Sequence, residues 1–341
     1  MEKFSAAVIG LGYWGPNILR NVVELDEFKD VYCYDIDRSR LEKMSKRFQF
    51  IKLEENFDNI LNNNNIKCVF ISTPPVTHYE LAKKAIKSNK NVYIEKPMTT
   101  SSKEAEELIG IAKNNSLRLM VGHTFEFSPA VEKIAGLIDE GVLGDLYFIS
   151  MSRINLGIHQ KDISVIWDLA PHDFSILFKL LNENPYKISA FSNSFVKKGL
   201  KDVAFINVRF KSGIIANINV SWLSPSKVRE TIIVGKKKML IYDDTQSDEK
   251  IKIFDKGVDL VRDPENFGEY QLTYRTGNIV SPFLETTEPL KLGIKHFIDC
   301  INNDFEPKTD GYCGLRVVKA VEAAERSSEN DGEVVVIDDW K

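Results

Sequence analysis

The amino-acid sequence predicts an α/β protein of two domains: a doubly wound parallel sheet, then an α+β domain with an open, mostly antiparallel sheet. The chain has 341 residues, a length typical of two domains. Up to about residue 122, short apolar runs alternate with amphipathic stretches, whereas strand-like runs later follow one another directly. We therefore predict domains at residues 1–122 and 123–341. Whether the C-terminal segment packs back on the first domain is left open by the sequence.

The first domain is predicted from five apolar runs that resemble buried parallel strands. Amphipathic stretches at 76–88 and 101–114 lie between the later runs and show the apolar spacing of helices. Such alternation places helices on both faces of a parallel sheet. The runs are residues 5–10, 30–35, 68–72, 91–95 and 117–122.

The second domain is predicted from a helix, a strand and a second helix that precede several strand-like runs. These first elements fall near residues 128–140, 146–154 and 163–182. Gly, Lys and Asp turns separate the later runs, as in an antiparallel sheet. An open sheet face of this size is an apolar patch unless it is covered, so we expect a homodimer or homotetramer. The remaining predicted elements are strands within 187–195, 202–210, 213–223, 228–235 and 237–244, helices near 289–303 and 314–328, and a strand in 334–338.

Composition excludes several classes of partner. The net charge of -4 argues against a nucleic-acid surface, and Lys236 to Lys238 read as a solvated turn. No apolar run approaches the ~20 residues that span a bilayer, so no membrane partner is expected. The four cysteines form no CxxC pair, and the N-terminus does not resemble a signal peptide. A reduced, cytoplasmic setting is expected.

A glycine-rich motif, GLGYWG, follows the first predicted strand and opens the first helix. Gly10 would allow a tight turn, Gly12 the close approach of a pyrophosphate, and Gly15 the contact between helix and strand. Asp35 ends the second strand about 20 residues later, where a carboxylate binds ribose hydroxyls and repels a 2′-phosphate. The pattern predicts a Rossmann domain that binds NAD. Arg38 lies close to Asp35 in the sequence, so binding of NADP is the alternative. A glycine turn without a nucleotide is the alternative.

Two strand-end segments, STPPVTH and EKPMTT, are polar and proline-rich. Ligands of open α/β sheets bind beyond the carboxyl ends of the strands. Lys96 therefore falls near the expected position of the nicotinamide ring. The alternative is an ordinary surface lysine.

The run IWDLAPHDFSIL places charged residues in an otherwise apolar helix. Asp168 and His172 are four residues apart and share a helix face. Pro171 disfavours helical geometry at Ala170, so the helix could begin near Leu169 with Asp168 as its N-cap. Either the two polar residues line a cavity, or Asp168 caps the helix and His172 is a satisfied core residue.

Taken together, AVIGLGYWGPN, STPPVTHYELA, EKPMTTSSKEAEELI, WDLAPHD and DGYCGLRVVKAVEAAERS resemble the Gfo/Idh/MocA family of NAD(P)-dependent oxidoreductases over the whole chain. The resemblance implies hydride transfer at a sugar or polyol hydroxyl. It implies that Lys96 and His172 are the catalytic pair with Asp168 beside them, His172 as general base and Lys96 stabilising the alkoxide. The implied cofactor contacts are the glycine-rich turn with Tyr13 and Trp14, and Asp35, Thr73, His78, Glu95 and Lys96.

Within the family, the chain looks most like nucleotide-sugar 3-dehydrogenases, on the strength of GYWGPN, NLGIHQKDISVIWDLAPHD and YRTGNIVSPFLETTEPL. These oxidise the C3 hydroxyl of UDP-N-acetylglucosamine or its uronic acid ahead of an aminotransferase. By analogy, Tyr274 and Arg275 contact a diphosphate or carboxylate; a solvated loop arginine is the alternative. An NADPH-dependent 3-ketosugar-nucleotide reductase, an inositol or aldose dehydrogenase, and a non-catalytic dinucleotide-binding regulator also stay open.

Overall fold

The computed structural model describes residues 3–157, 160, 162–262, 270–338 and 340. It divides the chain into two compact units. The first comprises Met1–Ser128 and Thr287–Glu322, and the second comprises Pro129–Thr286 and Ala323–Trp340. The first unit therefore includes a segment from late in the chain as well as the N-terminal part.

The first unit contains a six-stranded parallel sheet with the strand order β3-β2-β1-β4-β5-β6. This is the order of the dinucleotide-binding doubly wound fold, in which the strand order reverses between β1 and β4. The predicted α/β fold class is confirmed. Its elements are β1 (Phe4–Ile9), α1 (Gly15–Glu24), β2 (Phe28–Tyr34), α2 (Arg38–Arg47), β3 (Ile51–Glu54), α3 (Phe57–Asn62), β4 (Ile66–Ile71), α4 (His78–Lys87), β5 (Asn91–Ile94), α5 (Ser102–Asn114) and β6 (Leu119–Val121).

The central strands are mostly apolar because helices cover both faces of the sheet. In β1, every residue from Ser5 to Ile9 is buried. The late-chain helix α8 (Pro289–Asn303) belongs to this unit because its apolar residues join the same core. The Phe297 ring lies 5.7 Å from that of Phe70 and 5.9 Å from that of Tyr93. The division between the units falls within α9 (Gly311–Glu329).

The second unit contains a nine-stranded sheet with the order β14-β13-β12-β11-β7-β10-β9-β8-β15. Its described strand pairs are antiparallel except for β7 with β10, so the predicted mostly antiparallel sheet is confirmed. Its elements are α6 (Pro129–Asp139), β7 (Leu146–Ile154), α7 (Val165–Leu181), β8 (Pro185–Asn193), β9 (Val203–Phe210), β10 (Ile215–Ser221), β11 (Val228–Gly235), β12 (Met239–Asp243), β13 (Ile251–Arg262), β14 (Tyr270–Val280) and β15 (Val335–Val336).

Three strands were not predicted. β3 is four residues long and lies at the edge of its sheet, so it has no sustained apolar pattern. β13 and β14 form a hairpin whose second strand is mostly exposed, which leaves no alternation between a buried and a solvent face. The loop alternative for Arg275 is wrong, because this residue lies in β14.

Helix α7 spans Val165–Leu181, which confirms the helix predicted near 163–182, whereas the alternative start near Leu169 with Asp168 as N-cap is wrong. The N-cap is Ser164, whose side chain accepts a hydrogen bond from the Trp167 amide. The helix continues through Pro171. An interior proline costs ~3 kcal/mol, whereas each fully buried Ile, Leu or Phe side chain contributes ~1.5–3 kcal/mol. Burial of the apolar face therefore outweighs the proline.

Asp173, on the same helix, forms a buried ion pair with Arg153 of β7. The guanidinium Nε and Nη2 each donate to one carboxylate oxygen at 2.9 Å, and both side chains are almost completely buried. The pair explains one of the charges in the apolar run. Paired carboxylate and guanidinium groups satisfy one another in a site that water does not reach.

We expect Asp173→Asn to lower the free energy of unfolding by about 3–5 kcal/mol, because it removes the carboxylate that forms the ion pair with the buried Arg153. Chemical denaturation followed by far-UV circular dichroism measures this. The matched control is the double variant Arg153→Met with Asp173→Leu, which removes both charges and should be far less destabilised. Equal destabilisation of the single and double variants would contradict the charge argument.

No described helix has both the length and the apolarity needed to cross a membrane.

Candidate active site

The glycine-rich turn after β1 is shaped by backbone contacts that exclude side chains. Gly10 has a φ of +89°, which favours glycine. A Cβ at Gly15 would lie 2.0 Å from the Gly10 carbonyl oxygen, so only glycine allows α1 to start this close to the strand. Around Gly12, the nearest atom to an added Cβ is 3.6 Å away. The turn therefore leaves space for the close approach of a pyrophosphate at a helix N-terminus. Tyr13 is exposed and Trp14 is the N-cap of α1.

Asp35 lies directly after β2 and is nearly buried. Its carboxylate accepts hydrogen bonds from the amides of Leu11 (2.6 Å) and Asp37 (2.8 Å), which ties it to the glycine-rich turn. Nη1 of Arg40 lies 3.6 Å from Asp35 Oδ2, whereas Arg38 pairs with Glu42 and Glu55. Arg40 is therefore the arginine beside Asp35, and the sequence reading that pointed to Arg38 missed it.

We expect Asp35→Asn to shift the ratio of NADPH to NADH affinities toward NADPH by at least ~10-fold. The change removes the charge that repels a 2′-phosphate and leaves Arg40 in place, while the asparagine oxygen can still accept from the Leu11 amide. Fluorescence titration with both reduced cofactors measures the ratio. Arg38→Gln is the matched control and should leave the ratio unchanged; an unchanged ratio in Asp35→Asn would refute the role of the carboxylate.

The carboxyl end of β4 is held to the loop after β5 by His78. One ring nitrogen lies 2.8 Å from the Thr73 carbonyl oxygen and the other 2.8 Å from that of Pro97. Burial lowers the pKa of His78 to about 4, so the neutral ring donates to only one carbonyl at a time. His78 thus positions the Lys96–Pro97 segment. The direct contacts with the cofactor predicted for His78 and Thr73 stay predictions.

Glu95 and Lys96 follow β5 at the same edge of the sheet. Glu95 is buried, and the Trp14 side chain hydrogen-bonds its carboxyl group. Burial raises the pKa of Glu95 to about 7, although the nearby Lys96 charge opposes the rise. Lys96 is half-buried. The first unit therefore brings together, at one edge, the glycine-rich turn and the predicted residues Asp35, Thr73, His78, Glu95 and Lys96.

In the second unit, Asp168 and His172 lie on the one partly accessible face of α7. Between residues 165 and 180, all other side chains are buried except Trp167, Leu169 and Lys179. The Trp222 indole Nε1 donates to Asp168 Oδ2 at 3.0 Å. Asp168 is thus fixed by a buried tryptophan from the end of β10, a contact that the sequence reading missed. The shared helix face predicted for Asp168 and His172 is present.

Tyr274 and Arg275 lie together in β14 of the second unit. Tyr274 is 74% exposed. Arg275 Nε donates to Asp255 Oδ1 at 3.1 Å and Nη1 to Asp259 Oδ2 at 2.6 Å, so two carboxylates already engage its charge. The substrate contact predicted for these two residues stays a prediction.

The residues of the first unit fit NAD. The space at Gly12, the buried carboxylate of Asp35 and the polar ends of β4 and β5 match the pyrophosphate, ribose and nicotinamide parts of a dinucleotide across the switch point of the sheet. No group of three or more metal-ligating side chains occurs among the described residues. The unit is that of an NAD-dependent oxidoreductase.

Comparison with known proteins identifies the family. Residues 4–123 match the family model of the oxidoreductase NAD-binding Rossmann fold, and residues 131–241 match that of the GFO/IDH/MocA C-terminal domain. The chain belongs to the Gfo/Idh/MocA family of oxidoreductases. The expected NAD-binding domain and dehydrogenase class are confirmed.

Three relatives illustrate the range of the family. An uncharacterised oxidoreductase of Synechocystis is 30% identical over 70% of this chain and 74% of its own, and scyllo-inositol 2-dehydrogenase (NAD+) of Bacillus subtilis is 27% identical over 66% and 69%. The structure of UDP-N-acetylglucosamine 3-dehydrogenase from Acidithiobacillus ferrooxidans superposes with a TM-score of 0.79, at 21% identity over 97% of this chain and 99% of its own. At that identity the last likeness shows the fold alone.

Proposed function

We propose that this protein oxidises the C3 hydroxyl of a UDP-N-acetylglucosamine-type nucleotide sugar to a ketone, with NAD as the hydride acceptor. The observation that carries the reaction type is Lys96, which lies at the carboxyl end of β5 in an NAD-binding sheet. Ligands of such sheets bind beyond these strand ends. The resemblance of the site motifs to nucleotide-sugar 3-dehydrogenases supports the substrate class.

The reaction removes two hydrogens from the C3 carbinol. NAD supplies the hydride acceptor when it is bound, at C4 of its nicotinamide ring. We assign to His172 the removal of the hydroxyl proton, because a neutral imidazole is a base suited to neutral pH. The C–H electron pair leaves as hydride and the O–H electron pair becomes the second bond of the ketone.

Lys96 has the complementary role in this proposal. As the C3 hydroxyl loses its proton, negative charge develops on its oxygen. The compact ammonium group of a lysine donates hydrogen bonds to such an oxygen and stabilises it. Asp168, held by the Trp222 indole, would orient His172 or bind a neighbouring sugar hydroxyl.

The exposed face of the second-unit sheet supports an oligomer. Phe191, Phe205, Ile215 and Phe148 are partly exposed. Phe191 is opposite Phe205, and Ile215 is opposite Phe148, so each pair shares a face of the sheet. We propose that this face packs against another copy, as a homodimer or homotetramer, and that a pathway aminotransferase consumes the ketone. Light scattering after size-exclusion chromatography tests the oligomer.

The test of the reaction is reduction of NAD by the purified protein. Incubation with UDP-N-acetylglucosamine or its uronic acid should raise absorbance at the reduced-cofactor band, and a ketone trap should pull an unfavourable equilibrium forward. Free inositols, aldoses and the 3-keto nucleotide sugar with NADPH are run in parallel. Turnover of inositol or a free sugar with none of any nucleotide sugar would overturn the substrate assignment. Faster NADPH-dependent reduction of the keto sugar would favour the reductase alternative.

A further inference from the structure

His123, which follows β6 in the first unit, is a buried histidine without a hydrogen-bond partner in the described part of the chain. Its side chain is 1% exposed, and neither Nδ1 nor Nε2 has a partner among the described residues. A buried polar group in this condition costs ~1–3 kcal/mol. Such a group calls for a partner that the protein itself does not supply, such as an ordered water or a ligand.

The position of His123 identifies the neighbours of its imidazole ring. β5 and β6 pair in parallel with Ile94 opposite Val121, and the Gly122 amide donates to the Ile94 carbonyl at 2.7 Å. Lys96 and His123 each lie two residues beyond this last pair, and the Lys96 charge acts on the His123 imidazole. Burial, helped by the Lys96 charge, lowers the pKa of His123 to about 3, so the ring is neutral. It offers one N–H donor and one nitrogen acceptor.

A second buried atom without a partner among the described residues lies at the neighbouring strand end. Glu95 Oε1 is buried and has no hydrogen-bond partner among the described residues. A Cβ at Gly122 would lie 2.8 Å from this oxygen and 3.0 Å from the Tyr93 hydroxyl. Any side chain at Gly122 would therefore collide with the Glu95 carboxyl group. The segments after β5 and β6 thus each carry a buried polar side chain with an atom that lacks a hydrogen-bond partner among the described residues.

We propose that His123 hydrogen-bonds the carboxamide group of the nicotinamide ring of bound NAD. The carboxamide carries an NH2 donor and a carbonyl acceptor, and either can pair with the neutral imidazole of His123, whose nitrogens have no partner among the described residues. The nicotinamide end of a dinucleotide belongs at the carboxyl ends of these strands. The contact would hold the ring next to Lys96, where hydride transfer takes place.

A ligand-binding role and a structural role of His123 predict opposite effects on the stability of the free protein when an apolar ring replaces the imidazole. If the ligand supplies the partner, the free protein carries the cost of the unsatisfied imidazole. An apolar ring of similar size should then leave the free protein at least as stable, while the complex loses a hydrogen bond. A structural histidine would behave in the opposite way.

The experiment compares wild type with His123→Phe and His123→Gln in three measurements. These are the thermal midpoint without ligand, the Kd for NADH, and the Kd for ADP-ribose, which lacks the nicotinamide ring. For His123→Phe we expect an unchanged or higher midpoint, NADH binding weakened by ~10-fold or more, and ADP-ribose binding within about twofold of wild type. His123→Gln keeps a donor and an acceptor and should fall between wild type and His123→Phe in NADH affinity.

A modified cofactor tests whether His123 contacts the carboxamide group in particular. Reduced 3-acetylpyridine adenine dinucleotide has a methyl ketone where NADH has the carboxamide. Wild type should bind it more weakly than NADH, and the difference should shrink in His123→Phe. Unchanged NADH affinity in His123→Phe would overturn the proposal. So would a lower midpoint accompanied by equal losses of NADH and ADP-ribose affinity. None of these measurements needs the sugar substrate, so the result is independent of the proposed reaction.

Discussion

Replacement of Lys96 by methionine should lower kcat by at least ~100-fold while NADH binding stays close to wild type. Methionine keeps the length and much of the volume of the side chain but removes the ammonium group. The group is proposed to act on charge that develops on the C3 oxygen during the reaction, so its loss should appear in kcat and kcat/KM together. Steady-state kinetics with the nucleotide sugar and NAD measure this.

The matched control is Lys103→Met. Lys103 is an exposed lysine in the first turn of α5, shortly after the same loop, and should be dispensable. Fluorescence titration with NADH checks that the cofactor site of Lys96→Met is intact. If Lys96→Met retained activity within a few-fold of wild type, Lys96 would be an ordinary lysine at a strand end.

His172→Asn should also lower kcat by at least ~100-fold, and it should change the pH profile. An imidazole base cannot accept a proton once it is protonated, so turnover by the wild type should fall toward acid pH. Asparagine keeps a polar side chain on the helix but cannot act as a base. The remaining activity of the variant should therefore lose this acid limb and rise with hydroxide concentration.

Two measurements separate this role from a structural one. The thermal midpoint and the Kd for NADH should stay near wild type, because His172 lies on the partly accessible face of α7 rather than on its buried face. A variant that loses activity only in proportion to lost folded protein would show that His172 is a core residue. So would an acid limb that persists unchanged in the variant.

Much of the first unit follows from local sequence. Gly10 is favoured by its positive φ and Gly15 by its contact with the Gly10 carbonyl oxygen, and the apolar runs of β1, β4 and β5 are long enough to be read directly. Lys96 was found for the same reason, because a strand end can be located from the strand that precedes it. The pairing of Asp168 with His172 also follows from helix periodicity alone.

Contacts between residues that are far apart in the sequence could not be predicted from local patterns. Trp222 donates to Asp168 across 54 positions of sequence, and Arg153 pairs with Asp173 between a strand and a helix. Arg40 rather than Arg38 lies beside Asp35, because the turn of the helix after Asp37 decides which arginine points back. The alternative start of α7 near Leu169 fails because the burial of its apolar face, which offsets the proline, exists only in the folded protein.

The amino-acid order thus determines most of the elements, the glycine turn and the positions of the candidate site residues, since these depend on residue spacing within a single strand, turn or helix. The tertiary structure decides the environment of those groups. His123 shows the difference most clearly: nothing in VGHTFEF marks it as unusual, and the burial of its nitrogens without a partner among the described residues is evident only in the folded structure. Hydrogen bonding and burial are properties of neighbours in space, and the fold brings those neighbours together.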